Sequence, residues 1–183
     1  MNMFEKPPES NITTQNIEKT SEQMLEEIQK AKPQVEWVTY VPDKQYGTTI
    51  SLPFGCHISG SLNYLNNERT QAQMYIDMLK VNEQIQRGGI GTRLLQSLAV
   101  EGKKYGATEL YGHVTSESVL KTRAKVFGKE NLRFFNHYTK KPVGINYEEA
   151  LKNSSDGRVD FDVEVDLTAI DTSNWEGPEE HEK

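Results

Sequence analysis

Between residues 71 and 104 the hydrophobic period changes from two to nearly four across a glycine-rich turn, and this limits the fold more than any other feature of the chain. Met74, Ile76, Met78 and Lys80 alternate with Tyr75, Asp77, Leu79 and Val81, the pattern of a strand with two distinct faces. Leu94, Leu95, Leu98 and Ala99 then form the apolar stripe of a helix. Lys103 and Lys104 fall in its last turn, where a cation suits the dipole, and Gly106 ends it. Residues 109–114 read as the next strand. A strand, a turn, a helix and a strand form a unit whose two strands can lie parallel, with the helix crossing over.

The turn itself reads Val81-Asn82-Glu83-Gln84-Ile85-Gln86-Arg87-Gly88-Gly89-Ile90-Gly91-Thr92. Glycines at 88, 89 and 91 let the backbone turn tightly and approach a ligand, and the helix start offers unpaired N–H groups and positive potential. The expected guest is a phosphate or pyrophosphate, although a plain strand-to-helix connection accounts for the glycines equally well. No Gly-Lys-Ser or Gly-Lys-Thr occurs here, so the P-loop reading fails. The dinucleotide fingerprint fails too, because Gly89 and Gly91 are followed by Leu94 where a third glycine is required.

Upstream, Val35, Trp37, Thr39 and Val41 alternate, residues 48–52 are a β-branched run, and residues 57–65 suit a third strand with Asn66-Asn67 as its turn. With residues 71–81 they make an antiparallel meander. Residues 1–14 are polar, whereas Ile17, Met24, Leu25 and Ile28 predict a short helix with Asn16 as cap and Pro33 as stop. Downstream, residues 120–127 predict a helix, 132–136 a short strand, 147–152 a helical turn and 159–167 a last strand. In that strand Val159, Phe161, Val163, Val165 and Leu167 alternate with Asp160, Asp162, Glu164 and Asp166. A charged sheet edge that discourages strand addition is the preferred reading of the acid row, over a metal or cationic-ligand site. From Ser173 onward the chain reads as a disordered acidic tail, with Trp37 in the core and Trp175 as a tail-docking residue. The organisation is thus a polar arm with a short helix (1–33), one domain (34–170) and an acidic tail (171–183).

The chain has 183 residues, 35% of them hydrophobic, with Lys+Arg 21 against Asp+Glu 27 and a formal charge of −6. That charge is uneven. Residues 154–183 hold ten acids and two bases, while residues 121–141 hold seven bases and one acid. The basic stretch, with Lys121, Arg123, Lys125, Lys129 and Arg133, reads first as a solvated helix face and next as a surface for an acidic protein partner or the chain's own acidic tail; nucleic acid is least favoured, because the net charge opposes it. There is no run of about 18 apolar residues, so no membrane span is expected, and Met1–Ser10 lacks the order of a secretory signal. A cytoplasmic protein is the expectation. The single Cys56 can close no intramolecular disulfide and reads as a small buried residue. His57, His113, His137 and His181 show no ligand spacing, so no metal site is expected.

Gln86-Arg87-Gly88-Gly89-Ile90-Gly91 fits the Q/R-x-x-G-x-G/A signature of the GNAT N-acetyltransferase superfamily, and residues 35–136 resemble that family in their order of elements. The resemblance implies an α/β (α+β) fold: a mixed, mostly antiparallel sheet splayed between its fourth and fifth strands, with helices on both faces. It implies bound acetyl-CoA, its pyrophosphate on the N–H groups of Arg87, Gly88, Gly89, Ile90, Gly91 and Thr92, with Gln86 at the loop's start. The pantetheine is then expected to pair with backbone freed near Leu79 and Val81. The implied activity is acetyl transfer to a primary amine by direct attack, with no covalent enzyme intermediate and an acceptor the sequence does not name. Many relatives carry a catalytic glutamate on the fourth strand, where Tyr75 stands here; Asp77, on the same face, and Glu83 are the candidate bases. Where relatives carry a tyrosine acid, this chain has Phe127, leaving thiolate protonation to water or to Tyr138 or His137. Those two departures motivate a second reading, a non-catalytic interaction protein on the same fold that binds a partner through the N-terminal arm or the basic stretch.

Overall fold

In the computed structural model, which describes residues 19–40, 45–66, 68–155 and 161–180, the alternating segments pair into one sheet. The elements run α1 (Ser21–Lys30), β1 (Gln34–Tyr40), β2 (Gln45–Leu52), β3 (Cys56–Tyr64), β4 (Ala72–Lys80), α2 (Ile90–Lys104), β5 (Ala107–Val114), α3 (Glu117–Phe127), β6 (Leu132–Asn136), α4 (Tyr147–Ser155), β7 (Phe161–Asp166) and β8 (Glu179–Glu180). The strand order is β6-β7-β5-β4-β3-β2-β1-β8. Strands β1 to β4 form the expected meander, and β4 lies parallel to β5 across the α2 crossover.

Helix α2 is set by its stripe: Leu94, Leu98 and Ala99 are fully buried, and Leu95 nearly so. Each such leucine contributes about 1.5–3 kcal/mol relative to an exposed one. They pack on the face of β3 and β4 that bears Gly60 and Met74; a Cβ at Gly60 would lie 3.3 Å from Leu98 and 2.7 Å from the Tyr75 carbonyl, so only glycine fits there. Helix α3 lies on the same face, where its Arg123 reaches the β5 backbone. Leu110, Gly112 and Val114 of β5 are buried on that side, while Glu109, Tyr111 and His113 face the other.

Three expectations change. Met78 does not continue the inward face of Met74 and Ile76: the β3 register slips so that Gly60 opposes Ile76 and Ser59 opposes Met78, which leaves Asp77 in a bulge and Met78 54% exposed. Strand β7 is interior, between β5 and β6, so its acid row is no edge guard. Asp162 is 3% exposed and Glu164 is paired with Arg133, because β6 and the following turn bring cations over them. The tail up to residue 180 is docked: Trp175 packs edge-on against Phe127, Glu176 pairs with Arg93, Glu179 pairs with Lys32, and β8 runs parallel to β1. An apolar anchor and two cations outweigh the repulsion its acids suggest. Trp175 is therefore the docking residue expected, and Trp37 joins the core, donating from its indole N–H to the buried Glu101.

Helix α1 begins at a capping box in which Thr20 and Gln23 satisfy each other's backbone N–H. Asn16 and Ile17, like Asn67 of the expected turn, fall outside the described residues. Cys56 is buried, and its Sγ accepts from the Asn82 N–H at 3.4 Å. Among the described residues no helix is long and apolar enough to cross a membrane.

Candidate active site

The glycine-rich turn is built from its anchors outward. Ile85, 1% exposed, plugs the core from a 3-10 turn over Glu83–Ile85, and Asn82 ties that turn down by accepting from Gln84 N–H and donating to the Phe54 carbonyl. The chain then swings through two left-handed residues, Arg87 at φ 71° and Gly89 at φ 78°. Gly89 is the N-cap of α2 and offers no side chain to its N–H groups, and the first turn carries no acid. The first N–H groups of α2 are thus left for an outside acceptor.

They open onto a cleft of about 630 Å³, lined by Leu79, Lys80 and Val81 of β4 and its end, Gln86, Arg87 and residues 89–92 of the turn, and Ser118, Lys121, Thr122 and Lys125 of α3. Four lining side chains are cationic, Lys80, Arg87, Lys121 and Lys125, and none is acidic. An elongated polyanion fits this lining on charge, and a cleft of this volume suits a cofactor-sized ligand. Of the basic stretch, only Lys121 and Lys125 serve here. Arg123 is 3% exposed, and Lys129, Arg133 and Lys140 pair with Glu148, Glu164 and Asp162.

The cleft leads to a gap in the sheet. Pairing of β4 with β5 ends at Tyr75 opposite Tyr111; Gly112 still lies close against Ile76, and beyond them residues 77–80 and 113–114 part, as β4 bends at its bulge. Backbone groups on the open side of β4 are therefore free for a ligand, the arrangement in which a pantetheine can add as a pseudo-strand. Arg123 spans the other side, donating to the carbonyls of Gly112 at 2.7 Å, Val163 at 3.2 Å and His113 at 3.3 Å. Burial pulls its guanidinium down to about 10, still charged at neutral pH.

On the opposite, polar face the gap is rimmed by titratable groups. The Tyr75 and Tyr111 rings meet edge-on at 4.9 Å, and burial pushes the Tyr111 phenol above its usual range. Asp77 lies on this face, accepting from Ser61 Oγ at 2.7 Å, and is exposed. From the β5 side His113 stacks on His137 at 4.0 Å, and His137 Nδ1 lies 2.7 Å from Asp162 Oδ1. Burial raises the Asp162 carboxyl, but hydrogen bonds from Lys140 and His137 outweigh it and hold it below the usual carboxylate range. Lys140 is correspondingly held above the usual lysine range by Asp162.

The structure thus brings Leu79, Val81, Gln86, Arg87, Gly89, Ile90, Gly91 and Thr92 to one cleft and places Asp77 by the gap. Gly88 turns the chain beneath it, its open side against Leu25 of α1. Glu83 is exposed on the 3-10 turn and is not among the residues that line the cleft. Tyr138 is 75% exposed, its ring 5.3 Å from that of His137. Phe127 is buried under Trp175 and faces the core. Sequence reasoning missed Tyr111 and gave Asp162 and Arg123 other places, an edge row and a basic surface, because their surroundings depend on pairing of β5 with β4 and β7. The only sequence signal was His113 inside one strand and an acid row in another.

A family model described as the acetyltransferase (GNAT) family matches residues 14–123, more than half of the chain. No curated protein matches the sequence. Among solved structures, the chain is similar to an N-acetylglutamate synthase from Neisseria gonorrhoeae complexed with coenzyme A and N-acetyl-glutamate, at 16% identity and TM-score 0.37 over 66% of this chain; it spans 25% of that protein. It is also similar to an acetyltransferase of Bacillus subtilis in complex with CoA, at 14% identity and TM-score 0.41, over 74% of this chain and 99% of that one. With its motif, crossover and splayed sheet in place and the family model matched, the chain belongs to the GNAT acetyltransferase family.

Proposed function

We propose that this protein transfers an acetyl group from acetyl-CoA to a primary amine by direct attack. The observation that carries the reading is the gap between β4 and β5, reached by a basic, acid-free cleft that ends on the uncapped start of α2. In this reading the N–H groups of residues 87–92 receive the pyrophosphate, with Gln86 at the loop's entrance. Arg87, Lys121 and Lys125 balance the ligand's negative charge. The backbone of Leu79 and Val81 orients the pantetheine so that the thioester lies in the gap. The ligand supplies the activated acetyl group, and the protein supplies position and proton handling.

Asp77, on the polar rim of the gap, draws the incoming ammonium to it. Tyr138, at the solvent edge, is the candidate donor to the departing thiolate, and Asp77 and Glu83 are the candidate bases. Calorimetry with acetyl-CoA, followed by thiol release with amines, tests the reading. Micromolar binding with amine-dependent thiol release supports it; binding without turnover on any amine favours the non-catalytic alternative; and no binding at millimolar ligand refutes both the activity and the cofactor.

A further inference from the structure

The polar face holds a group that the cofactor cleft does not use. His137 stands on a turn fixed by Asn136, whose Oδ1 accepts from Tyr138 N–H at 3.1 Å, Thr139 N–H at 2.8 Å and Thr139 Oγ1 at 3.1 Å. The turn is closed by Lys140 N–H on the Asn136 carbonyl at 2.9 Å. The imidazole is held on two sides, stacked on His113 and bonded through Nδ1 to Asp162. Asp162 is itself fixed, 3% exposed, its second oxygen accepting from Lys140 Nζ at 2.6 Å.

A carboxylate at Nδ1 selects the tautomer with its proton there and leaves a lone pair on Nε2, which is the form of a proton acceptor. The location matches that chemistry. His113, on which His137 stacks, belongs to the stretch of β5 from which β4 has parted. On the same face a pocket of about 270 Å³ is lined by Gln73, Tyr111, Phe135, Lys140, Asp162 and Glu164, so it shares two of its walls with the support of His137. Its other walls are Gln73, the rings of Tyr111 and Phe135, and Glu164, which pairs with Arg133; the two rings suit the carbon chain of an amine. Asp77, by contrast, is exposed and one of its oxygens is engaged by Ser61.

Resting on the acetyl-transfer reading, we propose that the acceptor enters through this pocket from the polar face and gives its proton to Nε2 of His137, with Asp162 as the positioning residue. The ammonium passes one proton to Nε2. The freed lone pair attacks the thioester carbon, the C–N bond forms and the C–S bond breaks, and the second amine proton leaves with the sulfur as thiol. The imidazolium then releases its proton to solvent. The charged and titratable groups around His137 are His113 from β5, Asp162 from β7, and Lys140 and Tyr138 from its own turn.

Imidazole nitrogen NMR on labelled full-length protein, with and without saturating acetyl-CoA, tests this beside thiol release with spermidine, 2-phenylethylamine and a lysine-containing peptide. The proposal expects His137 to carry its proton on Nδ1, its Nε2 signal to move on acetyl-CoA addition, and Asp162→Asn to shift the tautomer. His137→Gln should keep its melting temperature and acetyl-CoA affinity while losing about 100-fold in kcat on any amine turned over. Binding of acetyl-CoA with an unmoved His137, an Nε2–H tautomer, or full turnover by His137→Gln overturns the proposal alone. Failure of acetyl-CoA to bind overturns the function reading and this proposal with it.

Discussion

Gly91→Glu separates the cradle's binding role from its structural one. A Cβ at Gly91 would sit 3.7 Å from Leu79, 3.8 Å from Val81 and 4.0 Å from Thr122, all ordinary contacts, so the side chain is accommodated and its carboxylate enters the cleft. Gly89 is a poorer choice, since its φ of 78° strains any replacement. Without ligand the substitution should stabilise the protein. Glutamate is a better helix former than glycine by roughly 0.5–1 kcal/mol, and an acid in the first turn of α2 favours the dipole. The melting temperature should therefore hold or rise by about 2–4 °C. With ligand the sign reverses. A carboxylate about 5 Å from a phosphate at an effective dielectric near 20 costs about 3 kcal/mol, roughly a hundredfold in affinity. Gly91→Ala, with the same backbone and no charge, should bind within about threefold of wild type. Calorimetry with acetyl-CoA and thermal melting of the three proteins give the answer. Equal affinity of Gly91→Glu and wild type, or a Gly91→Glu protein that melts lower, would refute the reasoning.

Gly112→Ala should destabilise by about 1–2 kcal/mol, because its Cβ would meet Ile76 at 3.0 Å and Arg123 at 3.1 Å, an overpacking cost that exceeds the relief of a strand glycine; an unchanged or higher melting temperature contradicts this. Trp175→Ala should cost about 1–3 kcal/mol in urea unfolding by releasing the tail from Phe127, whereas a change under about 0.5 kcal/mol would show that the tail's docking is idle. For Asp162, whose folded carboxyl is held low, the stabilisation is fully present above the unfolded value of about 4 and is lost as pH falls through the lower folded value. Asp162→Asn should flatten that acid limb in urea unfolding between about pH 5 and 2; an unchanged slope would mean the Lys140 and His137 bonds do not matter to stability.

What was legible in the sequence was local. The Gln86 to Gly91 motif, the stripe of α2 and the alternation of β4 lie within one stretch of chain, and the crossover follows from them, whereas the splay of its strands came only with the family resemblance. The slip at Asp77 was hidden, because a bulge depends on where β3 places Gly60 against Ile76, and alternation by itself turns Met78 inward. The acids of β7 read as an edge because their cations, Arg133 and Lys140, arrive from β6 and its turn, so pairing order decides their meaning. The basic stretch lost its apparent unity for the same reason: Arg123 turns inward to strand carbonyls while Lys121 and Lys125 face the cleft. His137 and Asp162 meet only through that same long-range pairing.

The central claim is that acetyl-CoA binds as a pseudo-strand on β4 with its phosphates on the start of α2. Amide hydrogen exchange, residue by residue, tests it most directly. Saturating acetyl-CoA should slow exchange at residues 76–81 and 87–92 by tenfold or more and leave β1 and β2 unchanged; protection spread elsewhere, with those two stretches unaffected, would contradict the account.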